Sequence, residues 1–144
     1  MKKIIYLLIV LGLSFQMTSC EKSEDESYFS KIIGTWSFVK MWEEGFGTSE
    51  WDGNDEEYMH LIFKKDGTGM FSEYSSYHDE ILEERFTWTI VNEQINFKYV
   101  DDIAFEDNLG TISTINTLTD KELVIEHFSS KDQERWREYY VRVK

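Results

Sequence analysis

The feature that most constrains this chain is an alternation of apolar and polar residues with period two, which recurs from Trp36 onward. Its clearest instance is the segment 86–90, where Phe86, Trp88 and Ile90 alternate with threonines. Successive side chains of a β-strand point to opposite faces, so this spacing predicts a strand with one buried and one exposed face. We therefore expect an all-β domain.

Eight such segments are predicted, and short polar turns separate most of them. The most distinct turn runs from Lys65 to Thr68 and contains Asp66 and Gly67, a combination typical of hairpins. The chain contains no proline, so each strand is free to pair on both edges. We expect a small, eight-stranded, antiparallel up-and-down β-barrel with a short N-terminal helix, and a β-sandwich is the alternative.

The alternation also predicts which faces point inward. Trp36, Phe38 and Trp42 have the same parity, which predicts that they share one face of the first strand. In the segment 111–118 the apolar spacing breaks the period of two, and this predicts a bulge or an edge position. An alternation of Tyr, Val and Val over residues 139–143 indicates the last strand.

The N-terminus resembles an export signal. Lys2 and Lys3 precede an apolar run over residues 4–15, and small residues follow it. The apolar run is shorter than the ~20 residues that span a bilayer, so a signal peptide is favoured over a membrane-spanning helix. We assign residues 1–19 to this signal peptide.

Cys20 is the single cysteine of the chain, so no internal disulfide can form. Together with Met17, Thr18 and Ser19 it resembles the lipobox of bacterial lipoproteins, in which the cysteine is lipidated and becomes the mature N-terminus. That resemblance implies a lipid anchor at Cys20 and attachment to a membrane. An ordinary signal peptide with an incidental cysteine is the alternative.

Residues 20–30 are interpreted as a lipidated acidic tether, because Glu21–Ser27 offers nothing to bury. Lys22 followed by acidic residues resembles the surface-export signals of some Gram-negative lipoproteins. We therefore expect a cell-envelope location, as an outer-membrane lipoprotein on the cell surface. Helical spacing begins at Tyr28, with Ser27 as the predicted N-cap and Gly34 as the residue that ends the helix.

The charge of the chain excludes one class of partner. Removal of residues 1–19 takes away two lysines and no acidic residue, which changes the formal net charge from −13 to −15. A strongly acidic protein repels the phosphates of nucleic acids and lacks the basic surface that binds them. We therefore expect no nucleic-acid partner.

Three motifs carry a resemblance to a known family. Gly34, Thr35 and Trp36 resemble the Gly-X-Trp opening of lipocalins, and the segments 63–68 and 118–123 resemble the smaller lipocalin-like domains of bacterial lipoproteins. The resemblance covers roughly residues 33–144 and implies a lipocalin-like barrel, and we assign residues 31–144 as the barrel domain.

The resemblance also implies a structural role for the first-strand tryptophan. Trp36 would pack at the closed end of the barrel, beneath a basic side chain from the last strand, either Arg142 or Lys144. Gly34, Trp36 and Arg142 would then plug the barrel. We expect the interior to be mostly filled by the barrel's own aromatic side chains, because eight strands leave little space.

The longest predicted loop, residues 43–57, is expected to form the barrel mouth. Trp42, Trp51 and Tyr58 lie near it and are the candidate ligand-binding residues, or alternatively a lid that folds over the open end. The acidic segment 52–57 does not have the spacing of a calcium loop.

No other pattern indicates a reaction. The histidines, His60, His78 and His127, lie on different elements without ligand spacing, so we expect no metal site and no cofactor. No Gly-X-Ser-X-Gly motif is present, and the chain is not expected to be an enzyme. The sequence predicts a lipid-anchored envelope protein whose barrel mouth binds a small apolar or amphipathic ligand. The alternative is a non-enzymatic structural or protein-interaction module, with a filled barrel and an envelope protein as its partner.

Overall fold

The computed structural model of the protein describes residues 24–51, 57–100 and 111–144. Within them lie a helix, α1, and the strands β1 to β9. Their bounds are α1 (Glu24–Ile32), β1 (Gly34–Glu43), β2 (Gly47–Glu50), β3 (Tyr58–Phe63), β4 (Thr68–Ser75), β5 (Glu80–Val91), β6 (Gln94–Tyr99), β7 (Thr111–Leu118), β8 (Glu122–Ser129) and β9 (Glu134–Arg142). The predicted signal peptide, Cys20 and most of the acidic segment 52–57 lie outside the described residues.

The strands form one antiparallel sheet that closes on itself. From β3 to β9 each strand pairs with its neighbour in the chain, and β9 pairs with β1 along residues Trp36–Glu43. Together with the pairing of β1 and β3, this closes a ring of eight strands, namely β1 and β3 to β9. The predicted up-and-down barrel is confirmed, and the alternative of two packed sheets does not apply.

Strand β2 lies inside the segment that the sequence predicts as an irregular loop. It pairs with the second half of β1, from Lys40 opposite Glu50 to Glu43 opposite Gly47. The first half of β1 pairs with β3, so the two strands share one edge of β1. All four residues of β2 are exposed, which is why no apolar alternation indicated a strand there.

Helix α1 covers one end of the barrel. Ile32 is fully buried, and the ring of Phe29 stacks on Trp88 with 4.8 Å between the ring centroids. The Tyr28 hydroxyl donates a hydrogen bond to Oε1 of Glu93 in the turn between β5 and β6 (2.8 Å). Because the apolar face of this short helix is buried against the ends of strands, α1 closes this end of the barrel.

The helix starts earlier than predicted. It begins at Glu24, so Ser27 lies within it and not at the N-cap, and residues 24–30 of the predicted tether are helical. An acidic segment is compatible with the first turn of a helix, because the helix dipole is positive there. The helix ends at Ile32, just before Gly34, in agreement with the prediction.

A bulge in β1 reverses the predicted orientation of Trp42. The register against β9 shifts between Phe38 and Lys40, which leaves Val39 as an extra residue. One inserted residue moves every later side chain to the other face. Trp42 therefore lies on the outer face, where the guanidinium of Arg137 lies 4.9 Å from the centroid of its ring. The prediction that Trp36 and Trp42 share a face is wrong.

The irregularity predicted in β7 is confirmed. The register against β8 shifts between Ile115 and Thr117, so that Ile115 pairs with Ile125 and Leu118 with Leu123. The bulge keeps the apolar residues on both sides of it inside the barrel.

Strand β9 presents an unexpected face to the interior. The alternating Val141 and Val143 that indicated this strand are 45% and 42% exposed, whereas Tyr140 is 5% exposed. Tyr140 shares its parity with Trp136 and Glu138, so these larger and more polar side chains point inward. The apolar alternation identified the strand but not its buried face.

The hydrophobic core occupies the half of the barrel next to α1. Its buried residues come from the helix and from every strand of the ring except β4: Ile32, Trp36, Leu61, Phe63, Phe86, Trp88, Ile95, Ile115, Leu123, Ile125 and Tyr140. Aromatic rings in this half pack edge to face, as Phe63 does on Trp88 with centroids 5.2 Å apart. The core therefore fills the closed half of the barrel.

Candidate functional site

The barrel encloses a cavity of about 330 Å³ above this core. Side chains of seven of the eight ring strands line it, from Met59 on β3 to Tyr140 on β9. A volume of this size falls within the ~300–1,000 Å³ of small-molecule sites. The expectation of a mostly filled interior is wrong for this chain, and the alternative of a structural or protein-interaction module stays a prediction.

One part of the cavity wall is apolar. Leu61, Ile95 and Ile125 are buried core residues that also line the cavity, and they form its floor toward the closed end. Phe71 and Phe97 add aromatic surface from β4 and β6. An apolar ligand body in contact with this floor would gain roughly 25 cal/mol for each Å² removed from water.

Strands β7, β8 and β9 contribute a group of polar side chains to the cavity wall that we call the polar cluster: Ser113, His127, Trp136, Glu138 and Tyr140. Glu138 is its centre. Oε2 of Glu138 accepts hydrogen bonds from the hydroxyl of Tyr140 (2.7 Å) and from Nε2 of His127 (3.1 Å). Oε1 accepts a longer hydrogen bond from Nε1 of Trp136 (3.3 Å). Three donors on three side chains therefore hold the carboxylate in one place.

His127 is fixed in its turn by two neighbours. Its Nδ1 is 2.9 Å from Oγ of Ser113, and its ring stacks on Trp136 with centroids 5.0 Å apart and 14° between the planes. An ionised carboxylate only accepts hydrogen bonds, so Nε2 must carry the proton that it donates to Glu138. In the neutral ring, Nδ1 then accepts a hydrogen bond from the Ser113 hydroxyl.

The surroundings of Glu138 favour its charged form. Burial opposes ionisation, but the hydrogen bonds and charge of His127, with the hydrogen bonds of Tyr140 and Trp136, outweigh it and lower the pKa of Glu138. Its side chain is 26% exposed and that of His127 is 11% exposed. The cavity therefore contains an ionised carboxylate at neutral pH.

Two phenols in the cavity have raised pKa values, mainly because they are buried. Burial, with smaller effects of Glu84 and Glu138, raises the pKa of Tyr99 to about 12. Burial and the adjacent Glu138 raise the pKa of Tyr140 well above its ordinary value. Both phenols are therefore neutral hydrogen-bonding groups at neutral pH.

The hydrogen-bonded series of Ser113, His127 and Glu138 resembles the nucleophile, base and acid of a catalytic triad. Ser113 is 7% exposed and lies inside a β-ladder, paired with Ile95 on one side and His127 on the other. Acyl transfer also requires N–H donors aimed at the developing oxyanion, and backbone N–H groups of a regular ladder point to neighbouring strands. We interpret this hydrogen-bonded series as a support that orients Glu138.

The predicted ligand-binding residues lie elsewhere. Trp42 is on the outer face, as described above. Trp51 packs edge to face on Phe38, with centroids 6.1 Å apart. Tyr58 stacks on His60 (4.5 Å). None of the three lines the cavity. Their role in binding stays a prediction, and the cavity wall is formed by a different set of side chains.

Two functional candidates were missed, although the sequence contained a signal for each. His127 continues the inward parity of Leu123 and Ile125. Glu138 has the parity of Trp136 and Tyr140, two aromatic residues on the same strand. A polar residue at an inward position of an alternating strand is unfavourable in a filled core, so such positions indicate either a buried network or a cavity.

At the opposite end of the barrel, Arg142 covers Trp36. The guanidinium carbon is 4.1 Å from the centroid of the Trp36 ring, and Nε1 of Trp36 donates a hydrogen bond to the carbonyl of Ile32 (2.7 Å). Arg142 donates to the carbonyls of Asp120 (2.9 Å), Ile33 (2.8 Å) and Lys31. One side chain thus joins α1, β1 and the turn between β7 and β8.

Gly34 has a reason to be glycine in this arrangement. Its φ is +137°, in a region that other residues rarely adopt, and an added Cβ would lie 2.5 Å from Nη1 of Arg142. Glycine therefore suits this position for two reasons. Its backbone adopts this φ readily, and its missing side chain leaves space for the guanidinium.

The described residues show neither a metal site nor a membrane-spanning helix. Over 24–51, 57–100 and 111–144, no three His, Cys, Asp or Glu side chains are grouped so that they could hold a metal ion. Helix α1, the helix in this part of the chain, is too short and too polar to cross a membrane.

A closed, eight-stranded, up-and-down barrel with an internal cavity and a buried first-strand tryptophan beneath an arginine defines a lipocalin-like protein. The family model of the lipocalin-like domain matches residues 32–125 of the chain. The chain belongs to this family.

One solved structure supports the fold, and two others resemble the chain less closely. A lipocalin-like protein from Bacteroides uniformis superposes with a TM-score of 0.61 at 10% identity, over 78% of this chain and 99% of that one. The bovine lipocalin allergen Bos d 2 gives a TM-score of 0.48 at 13% identity, over 80% and 75% of the two chains. Bovine odorant-binding protein, in complex with a selenium-containing odorant, gives 0.47 at 16% identity, over 81% and 73%. No curated protein has a matching sequence.

Proposed function

We propose that this protein binds one small molecule with an apolar body and a polar group inside the barrel cavity. The observation that carries the proposal is the cavity itself, about 330 Å³ with an apolar floor and a polar cluster on one wall. This combination of apolar surface and a few fixed polar groups is typical of ligand sites. The site differs from the predicted one, because it lies inside the barrel and not at its mouth.

The fold supports binding over catalysis. Lipocalin-like barrels are typically binding and transport folds, and the chain belongs to that family. The polar cluster is bonded internally from Ser113 to Glu138, which suits a rigid recognition wall.

We further propose that the barrel is a lipid-anchored envelope protein, held by Cys20 at an outer membrane and displayed at the cell surface. The support is the order of residues from Lys2 to Cys20 and the acidic residues after it. Three residues separate Cys20 from the start of α1, and this length reaches at most about 14 Å. Because α1 covers the closed end, such an anchor would hold that end toward the membrane and leave the mouth facing away.

Ligand binding is tested with the uncharged fluorescent probe N-phenylnaphthylamine, titrated into the purified mature chain. We expect saturable fluorescence enhancement, because the probe would leave water for an apolar site. In the variant Thr111→Phe, a phenyl ring replaces a small side chain that lines the cavity, and binding should weaken at least about tenfold. The matched control is Ile112→Phe, since Ile112 is the next residue and is 48% exposed on the outer face.

Equal loss of binding in both variants would show that the probe does not use the cavity. Absence of saturable binding to the wild-type chain, with this probe and with a library of apolar and amphipathic metabolites, would refute the proposed function.

A further inference from the structure

The charge of the cavity points to the chemistry of its ligand. We infer that the cavity selects a small molecule with a cationic amine on an apolar body, because two glutamates and neither lysine nor arginine line it. This inference rests on the proposed function, ligand binding inside the barrel. It adds the charge of the ligand and the residues that recognise it, Glu84 and Glu138.

The two carboxylates face each other across the barrel. Glu84 is on β5 and Glu138 is on β9, and these strands are four positions apart in a closed ring of eight. Strands so related lie on opposite walls, so a ligand in the cavity lies between the two glutamates. In agreement with this placement, the charges of both glutamates act on the hydroxyl of Tyr99 on β6.

No cation in the wall neutralises this pair. Among residues 24–51, 57–100 and 111–144, Glu84 forms no ion pair, and Glu138 is paired with His127. If His127 is protonated, the three side chains still carry a net negative charge. An excess of one sign inside a cavity attracts a ligand of the opposite sign, because screening by water is weaker there than on an open surface.

Glu138 retains capacity for a further hydrogen bond. A carboxylate accepts about four hydrogen bonds, and the three donors described above use two positions on Oε2 and one on Oε1. The hydrogen bond from Trp136 to Oε1 is the longest of the three, at 3.3 Å. An ammonium group of the ligand can therefore donate to Oε1 without displacing His127 or Tyr140.

Aromatic surface beside the carboxylates suits the same cation. Phe97, Tyr99 and Trp136 line the cavity, and the faces of aromatic rings attract ammonium groups. A ligand carboxylate would instead meet two like charges in a site of low dielectric constant, which disfavours fatty acids.

The inference is tested with three ligands that share one apolar chain: octylamine, octanol and octanoate. Each is titrated at neutral pH against the mature chain loaded with N-phenylnaphthylamine, and displacement gives its affinity. We expect octylamine to bind at least about tenfold more tightly than octanol, the difference that one hydrogen bond to a charged group supplies. Octanoate should bind more weakly than either.

Three variants assign the preference to residues. Glu84→Gln and Glu138→Gln keep the size of each side chain and remove its charge, and each should reduce the ratio of octylamine to octanol affinity severalfold. The matched control is Glu83→Gln, which removes a neighbouring exposed charge from β5 and should keep the wild-type ratio. If Glu138→Gln does not fold, Glu84→Gln carries the test, because Glu84 lies outside the polar cluster.

The outcomes distinguish failure of the amine inference from failure of the proposed function. If the probe binds but octanol or octanoate equals octylamine, cavity binding stands and the amine inference is overturned. The inference also fails if the preference persists in both glutamine variants. If neither the probe nor any compound of the metabolite library binds the wild-type chain, the proposed function fails and the inference fails with it.

Discussion

His127 and Glu138 lie diagonally opposite each other on β8 and β9, with Nε2 of His127 at 3.1 Å from Oε2 of Glu138, inside a barrel whose other half is an apolar core. Both occupy positions that the alternation of their strands assigns to the interior. A buried polar pair is stable only when its hydrogen bonds are satisfied, and Ser113, Trp136 and Tyr140 satisfy them. This network forms the polar part of the cavity wall.

Acid should destabilise the protein through Glu138. Its pKa is lower in the folded protein than the ordinary value of 4.5, despite burial, because His127, Tyr140 and Trp136 bond the charged form. Below pH 4.5 the unfolded chain therefore binds more protons than the folded protein, and the free energy of unfolding falls as pH decreases toward the folded pKa. Urea denaturation at a series of pH values measures this slope.

The variant Glu138→Gln should have a shallower slope, and it should lose about 1–3 kcal/mol at neutral pH because its network is broken. Part of the dependence of the free energy of unfolding on pH should remain in this variant. Burial opposes the ionisation of Glu126 as well, but the hydrogen bond and charge of Arg137 and the charge of Arg135 lower its pKa. Glu83→Gln is the exposed control. An unchanged slope in Glu138→Gln would contradict the assigned network.

Replacement of Arg142 should destabilise the closed end of the barrel. Arg142→Ala removes the cation that lies over Trp36 and three hydrogen bonds to carbonyls. We expect a loss of about 2–4 kcal/mol in the free energy of unfolding. Arg142→Lys should recover only part of it, because an ammonium cannot reproduce the fork of the guanidinium. Chemical denaturation provides the measurement, with the exposed Arg85→Ala as control. Equal effects at positions 85 and 142 would argue against a plug.

A methyl group at position 69 should disturb the core. An added Cβ on Gly69 would overlap with Cε2 and Cζ of Phe86 and lie 2.6 Å from the carbonyl oxygen of Ile62. Overpacking of this kind costs about 1–3 kcal/mol, so Gly69→Ala should lower the melting temperature by several degrees.

The double variant Gly69→Ala/Phe86→Leu tests this contact directly. A smaller side chain at position 86 leaves room for the new methyl group, so the double variant should lose less stability than the sum of the two single variants. Strict additivity would show that the strain lies elsewhere.

The proposed anchor is tested by Cys20→Ala. Because stable membrane attachment would depend on acyl chains at this residue, the variant should move from the membrane fraction to the soluble fraction. Cell fractionation and immunoblotting provide the measurement, and Ser23→Ala is the matched control in the same segment. Retention of Cys20→Ala in the membrane fraction would refute the anchor.

The sequence by itself determined the architecture. Alternation identified the strands of the ring, and its failure near Ile115 identified a true bulge. Gly67 and Asp66 determined a hairpin turn, in which Asp66 accepts hydrogen bonds from Thr68. These features are local, because strand period and turn conformation depend on a few consecutive residues.

The tertiary structure decided the site. The bulge at Val39 exists only in the register between β1 and β9, two strands about 100 residues apart in the chain, and it moves Trp42 to the outer face. The inward face of β9 is likewise set by closure of the ring, which carries Glu138 inside and Val141 outside. Because the cavity depends on these long-range pairings, the residues that line it could not be identified from local pattern alone.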